Sequence, residues 1–214
     1  MHLRINEIFH SIQGETLRTG FPSAFIRLTG CNLRCHYCDT AYAWNTGDDM
    51  SLDEILTRVK KYRGVHHVTV TGGEPLLQPN VILLMEELCN SGYAVQLETN
   101  GSFSLLTVPQ QVRKIVDVKT PSSGAVESFL MENLDRIAAG DELKFVIGTL
   151  DDYVFARDFF EKYLEKSEGA INFSPVLGSF SPRKLAELIL KDGLPVRLNV
   201  QLHKIIWPEG EPKE

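Results

Sequence analysis

Residues 23–40 read SAFIRLTGCNLRCHYCDT: an apolar strand over 23–29 that stops at Gly30 and runs straight into Cys31, Cys35 and Cys38. The spacing is C-x3-C-x2-C and uses three of the chain's four cysteines. Four protein ligands close a tetrahedral zinc site or saturate an iron–sulfur cluster. Three on a [4Fe–4S] cluster leave one iron open to a substrate or cofactor. The competing reading is a structural zinc site with His36 as fourth ligand. Zinc modules usually pair two C-x2-C units, or one such unit with a distant H-x3-H, and no second pair follows here. Disulfides fit poorly, because three neighbouring thiols leave one over and the N-terminus does not resemble a secretory signal. Cys89 lies in an apolar helical stretch and reads as core.

Working outward, strands and helices alternate. Strands are expected at 66–71, 93–98, 114–118, 143–147, near 170–173 and at 195–202. Helices are expected at 51–62, near 79–91, within 127–138, and at 151–166 and 181–191. Ser51 is a ready N-cap and Glu54, three residues on, completes a capping box. Such alternation argues for an α/β fold with a parallel sheet and crossover helices. The unusual polar residues gather just after the strands: the cysteine loop, Thr71-Gly72-Gly73-Glu74-Pro75, Glu98-Thr99-Asn100-Gly101, the run Lys119 to Gly124, and Ser174-Pro175. In barrel-type α/β folds the carboxyl ends of the strands carry the active site. Six or seven strands are too few for a closed eight-stranded barrel. No repeat or linker divides the chain, so residues 1–214 read as one domain.

Composition narrows the function classes. Hydrophobic residues are 43% and charged residues 23%, the balance of a soluble globular protein rather than a disordered or membrane chain. No apolar run approaches the ~20 residues of a membrane span. A net charge of −6 argues against non-specific nucleic-acid binding. Thiols that must stay reduced point to the cytoplasm.

The cysteine motif with Tyr37 before its last cysteine resembles the signature of the radical S-adenosylmethionine (SAM) superfamily. Gly72-Gly73-Glu74-Pro75 alone reads equally as a strand-to-helix turn, where glycine lets backbone approach closely. After a cluster loop, it resembles the superfamily's GGEP element. The resemblance implies a shortened radical SAM core: a partial, incomplete TIM-like barrel of about six to seven parallel strands with outer helices. It also implies a [4Fe–4S] cluster and SAM as cofactors. The open iron chelates SAM, and the reduced cluster cleaves it to a 5′-deoxyadenosyl radical that removes hydrogen from the substrate.

Further segments resemble the 7-carboxy-7-deazaguanine synthase family. They are Phe9 to Glu15 (FHSIQGE), Gly20-Phe-Pro, Phe25-Ile-Arg27-Leu, Cys38-Asp39-Thr40, Glu98-Thr-Asn-Gly, Asp117-Val-Lys-Thr-Pro-Ser-Ser-Gly, Ser174-Pro-Val and Gln201-Leu-His-Lys. The family turns 6-carboxy-5,6,7,8-tetrahydropterin into 7-carboxy-7-deazaguanine with loss of ammonia. Carried over residue by residue, the resemblance implies that Cys31, Cys35 and Cys38 hold the cluster. Tyr37, Cys38, Asp39, Gly73, Glu74, Ser122 and Ser174 would form the SAM pocket. Ile12, Gln13, Gly14, Glu15, Arg27, Thr71 and His203 would bind the pterin, with Arg27 on its carboxylate. Thr40 would ligate Mg²⁺, a metal that takes hard oxygen ligands and relies on water and substrate for the rest. A flavodoxin-type electron donor, a homodimer and queuosine biosynthesis come with the same resemblance.

Other readings stay open from the residues alone. Thr40 could end the cluster loop, and Gln13 and Glu15 could be solvated. Arg27 inside an apolar strand needs a partner. His36 reads as facing solvent or a reductase, and His66 and His67 as structural. A glycyl-radical-enzyme activase shares the cysteine spacing but does not need Phe9–Glu15 or Cys38-Asp-Thr40. A zinc-stabilised binding module is the non-enzyme alternative. The acidic tail, residues 209–214, reads as disordered or as closing over the pocket.

Overall fold

The structure, a computed structural model, describes residues 1–207. The acidic tail lies outside the described residues. One nine-stranded sheet runs through the described chain. Its strands are β1 (His2–Ile12), β2 (Pro22–Leu28), β3 (Asp48–Ser51), β4 (His67–Gly72), β5 (Ala94–Thr99), β6 (Arg113–Val118), β7 (Glu142–Ile147), β8 (Ala170–Pro175) and β9 (Arg197–Leu198). Their order across the sheet is β3-β1-β2-β4-β5-β6-β7-β8-β9. From β2 to β9 every neighbour is parallel. That is seven parallel strands in an open sheet, the partial barrel expected.

The sequence reading needs three corrections. First, β1 and β3 are additional strands, both paired antiparallel at one edge. In β1 only Leu3 and Ile5 alternate cleanly into the core, and a register shift between Ile5 and Glu7 breaks the two-residue period that marks a strand. Second, the helix expected within 127–138 is a pair of 3₁₀ turns, Val126–Ser128 and Met131–Arg136. The segment is tied to the loop after β5 instead. Asn133 donates to the carbonyls of Gly101 and Phe103 (3.0 Å each) and accepts from the Leu105 amide (3.0 Å). Third, the last strand shrinks from 195–202 to Arg197–Leu198, and a short helix, α5 (His203–Ile206), follows it.

Four helices cover the outer face: α1 (Leu52–Lys60), α2 (Val81–Asn90), α3 (Leu150–Phe159) and α4 (Pro182–Asp192). The Ser51–Glu54 capping box forms at α1 as the sequence indicates. A second box, Thr149–Asp152, starts α3, whose end widens into a π turn at Phe160–Leu164. From α2, Val81, Leu84, Met85 and Leu88 are fully buried, each contributing about 1.5–3 kcal/mol by burial. Cys89 packs beside them, against the core.

Strand alternation divides the sheet into two chemistries. On β7, Leu143, Phe145 and Ile147 enter the core under the helices. Lys144 and Val146 face the opposite, inner side. The same split puts Val116 and Val118 of β6 in the core and Asp117 on the inner side. The inner face is therefore polar, and the loop between β1 and β2 crosses it. Gln13 reaches Thr69 of β4 and Glu98 of β5 (3.2 and 3.3 Å), and the Leu17 amide reaches Glu142 of β7 (2.8 Å).

Candidate active site

The carboxyl ends of the parallel strands, the β1–β2 loop and the segment before α5 enclose a cavity of about 810 Å³, in the usual range for a small-molecule site. Cys31, Cys35 and Cys38 all line it. They are half-buried free thiols, and burial pushes the Cys31 and Cys35 thiols upward. Glycines shape the loop. A β-carbon on Gly73 would overlap the Gly30 carbonyl, and the Glu74 amide bonds that same carbonyl at 2.8 Å. The GGEP turn thus rests directly on the cluster loop.

Three soft thiols beside a polar chamber suit a [4Fe–4S] cluster with an open iron. A single zinc ion would need a fourth ligand beside them. His36 lies over Gly124, with Nδ1 3.2 Å from the Ser122 carbonyl.

Most of the other expected residues line the same cavity: Tyr37, Asp39, Thr40, Gly73 and Ser174 from the set expected for SAM and Mg²⁺, and Ile12, Gln13, Gly14, Glu15, Arg27, Thr71 and His203 from the set expected for the pterin. Two do not reach the wall. The Glu74 carboxylate is fully buried and accepts from the amides of Leu76 (3.0 Å) and Asn100 (2.7 Å) and from the Thr99 hydroxyl (2.8 Å). Burial raises its pKa against the pull of those donors. Ser122 gives its amide and hydroxyl to Asp152. In this structure both brace loops behind the wall.

Electrostatics organise the wall. Glu15 accepts from Lys144 (3.1 Å) and Gln201 (2.6 Å). Burial opposes its charge, but Lys144, Gln201 and His203 together hold its pKa below the usual value. Burial also opposes charge on Lys144 and Lys119, yet Glu15 beside Lys144 and Asp117 beside Lys119 hold the two ammonium groups above the ordinary lysine range. Glu98 accepts from Thr71 (3.0 Å) and Gln13, and burial raises its carboxyl. Arg27 donates Nε to Glu7 (2.7 Å) between the rings of Phe9 and Tyr42. Burial lifts the Tyr37 phenol to about 12, and its oxygen lies 3.4 Å from the Thr120 hydroxyl. Thr40 donates to Asp39 at 2.9 Å, and burial of Asp39 is outweighed by Lys204, which keeps its carboxyl low.

Sequence reasoning passed over Lys144, and it quoted Asp117 and Gln201 only within resembling segments, with no role of their own. Asp117 accepts from Lys119 at Oδ2 (2.8 Å), while its Oδ1 is buried with no hydrogen-bond partner among the described residues. A signal existed. Lys144 and Asp117 interrupt apolar strands just as Arg27 does, and a charged residue there needs a purpose.

Comparison with known proteins agrees with this geometry. The Radical SAM superfamily profile matches residues 25–153. The chain is 46% identical to a 7-carboxy-7-deazaguanine synthase of Koribacter versatilis, over 96% of this chain and 97% of that one. It is 43% identical to one of Chlorobaculum tepidum, over 96% and 94%. A crystal structure of QueE from Escherichia coli superposes with a TM-score of 0.78 at 25% identity, over 95% of each chain.

Proposed function

This chain belongs to the radical SAM superfamily and, within it, to the 7-carboxy-7-deazaguanine synthases; from that premise we propose that it is a radical SAM lyase. It contracts the ring of 6-carboxy-5,6,7,8-tetrahydropterin to give 7-carboxy-7-deazaguanine and ammonia, in queuosine biosynthesis. Its cofactors are a [4Fe–4S] cluster, SAM and Mg²⁺. The observation that carries this reading is the convergence on one cavity of three thiols and a Gln13–Glu15–Arg27 recognition edge.

Bound cluster and SAM supply the radical that abstracts hydrogen; the chain supplies grip and exclusion of water. Arg27, held at Nε by Glu7, offers its remaining guanidinium nitrogens to the substrate carboxylate. Gln13 and Glu15 read the mixed donor and acceptor edge of the pterin. Glu98, whose carboxyl burial raises, lines the substrate side and accepts ligand N–H or O–H groups. Tyr37, Asp39, Gly73 and Ser174 enclose SAM, with Glu74 and Ser122 supporting the loops that do so. The Thr40 hydroxyl, beside Asp39, would hold Mg²⁺, a hard cation that suits oxygen ligands and would stabilise negative charge on the substrate. His203 packs on Gly14, where a β-carbon would strike its ring, and closes the substrate side.

The reading extends to a single domain, a homodimer, a cytoplasmic setting and a flavodoxin-type electron donor. Among the described residues no helix is long and apolar enough to cross a membrane. The test is anaerobic: reconstituted protein, dithionite, SAM, Mg²⁺ and 6-carboxytetrahydropterin, with product read by mass spectrometry. Product that vanishes in Cys35→Ala and falls in Thr40→Ala supports reaction and metal site together. A cluster that cleaves SAM but leaves the pterin untouched overturns the substrate.

A further inference from the structure

Asn100 follows β5 and is only 7% exposed. Its backbone N–H is held by the buried Glu74 carboxylate at 2.7 Å. Its side-chain oxygen accepts two bonds, from the Ser102 amide (3.0 Å) and the Ser102 hydroxyl (2.6 Å). Those two donors fix which end of the amide is oxygen, an assignment that otherwise rests on the surrounding network. The nitrogen must then face the other way. There it lies 3.1 Å from Asn32 Oδ1 and 3.9 Å from Cys31 Sγ. The Leu33 amide approaches the same sulfur at 3.4 Å.

We propose that Asn100 is a positioning residue that tunes the cluster: its side-chain N–H, locked by Glu74 and Ser102, bonds the Cys31 thiolate and makes the cluster easier to reduce. The proposal rests on the cluster reading of the three cysteines. Reduction adds one electron from the external donor and makes the cluster and its thiolates more negative. An N–H aimed at a ligating sulfur stabilises that state more than the oxidised one, and hydrogen bonds to sulfur are among the terms that set iron–sulfur potentials. Burial of Asn100 shields its side of the bond from water. The arrangement also links two motifs. The GGEP carboxylate holds the asparagine, and the asparagine holds the cluster cysteine, so the SAM-side turn and the cluster are set in one register.

The experiment is an EPR-monitored redox titration of the reconstituted protein with dithionite, comparing the parent with Asn100→Asp and Asn100→Ala. Asn100→Asp has the parent's shape and still accepts from Ser102, but it offers no N–H to sulfur. Both variants are expected to shift the midpoint to lower potential. Loss of the bond reduces the preference for the reduced form by up to about tenfold, which is 59 mV for a one-electron couple. Unchanged midpoints in loaded variants overturn the proposal. If neither variant loads, the parent decides: with ¹⁵N only in asparagine side-chain amides, pulsed EPR of the reduced cluster must show nitrogen coupling, and its absence overturns the proposal. A parent that assembles no cluster at all sinks the cluster reading instead, and the two failures are told apart by iron and sulfide content.

Discussion

Gly73 and Gly30 meet backbone to backbone: a β-carbon at position 73 would overlap the Gly30 carbonyl and crowd the Cβ of Cys31. The two loops that flank the cluster therefore share one contact with no room for a side chain. Gly73→Ala must push the cluster loop away. Iron content after reconstitution is expected to fall below half of the parent's while far-UV circular dichroism stays the same; full loading in the variant would show that the loop can yield.

Glu74 holds three donors with one buried carboxylate. Glu74→Gln keeps the shape but turns an N–H₂ toward groups that are themselves donors. A hydrogen bond to a charged group contributes about 1.5–3 kcal/mol, and a buried donor left unmatched costs a similar amount. The variant should lose about 2–3 kcal/mol of stability in urea unfolding of the protein. A loss within error of zero would mean that the donors find other acceptors.

Arg27→Lys tests the carboxylate contact. Lysine keeps the charge but loses the planar fork that pairs with a carboxylate, so KM for the pterin should rise at least about tenfold, with SAM cleavage in the absence of substrate unchanged. Asp117→Asn, in the same assay, tests the charge that Asp117 sets beside Lys119 and Lys144. A rise in KM for the pterin or for SAM shows which ligand that charge serves, and no change in either constant would assign Asp117 to holding Lys119 alone.

The Glu15–Lys144 pair sets a pH window. Glu15 has a lowered folded pKa, so its contribution is present above its unfolded value, near 4.5, and is lost as pH falls through the folded one. Lys144 has a raised folded pKa, so its contribution is present below its unfolded value, near 10.5, and is lost as pH rises through the folded one. Between about pH 5 and 10 the pair stays ionised. Glu15→Gln should lower stability by about 2 kcal/mol, less than a fully buried pair would lose because the pair lines a cavity open to water. Thermal melts should give the same difference at pH 6 and pH 9; a gap that closes at either pH would place one partner's titration inside the window.

The sequence was legible where one residue type has few possible reasons to be present. Three clustered thiols, Gly-Gly after a strand and polar runs at successive strand ends all pointed to one face, and they meet there. It was less legible where partners are distant. β1 pairs antiparallel, and its register slips between Ile5 and Glu7, so no local period announces it. The segment 127–138 has helix-forming residues, but Asn133 spends its side chain on the loop after β5, and those tertiary bonds outweigh local propensity. Glu74 reads as a ligand from its motif. Only the positions of Thr99 and Asn100, contributed by the next strand, turn its carboxylate inward.

The loop across the inner face has a consequence for the order of synthesis. Glu15 bonds Lys144 and Gln201, 129 and 186 positions further along, and Arg197 reaches back to the Thr16 carbonyl across 181. Contacts of such separation wait for the far residues to leave the ribosome, and they close late because the intervening chain must first be ordered. The thiol loop and its neighbouring strands are available early. The Glu15 cluster is finished only when Gln201 arrives, so a chain released short of it would carry its three clustered thiols beside a cavity wall left incomplete.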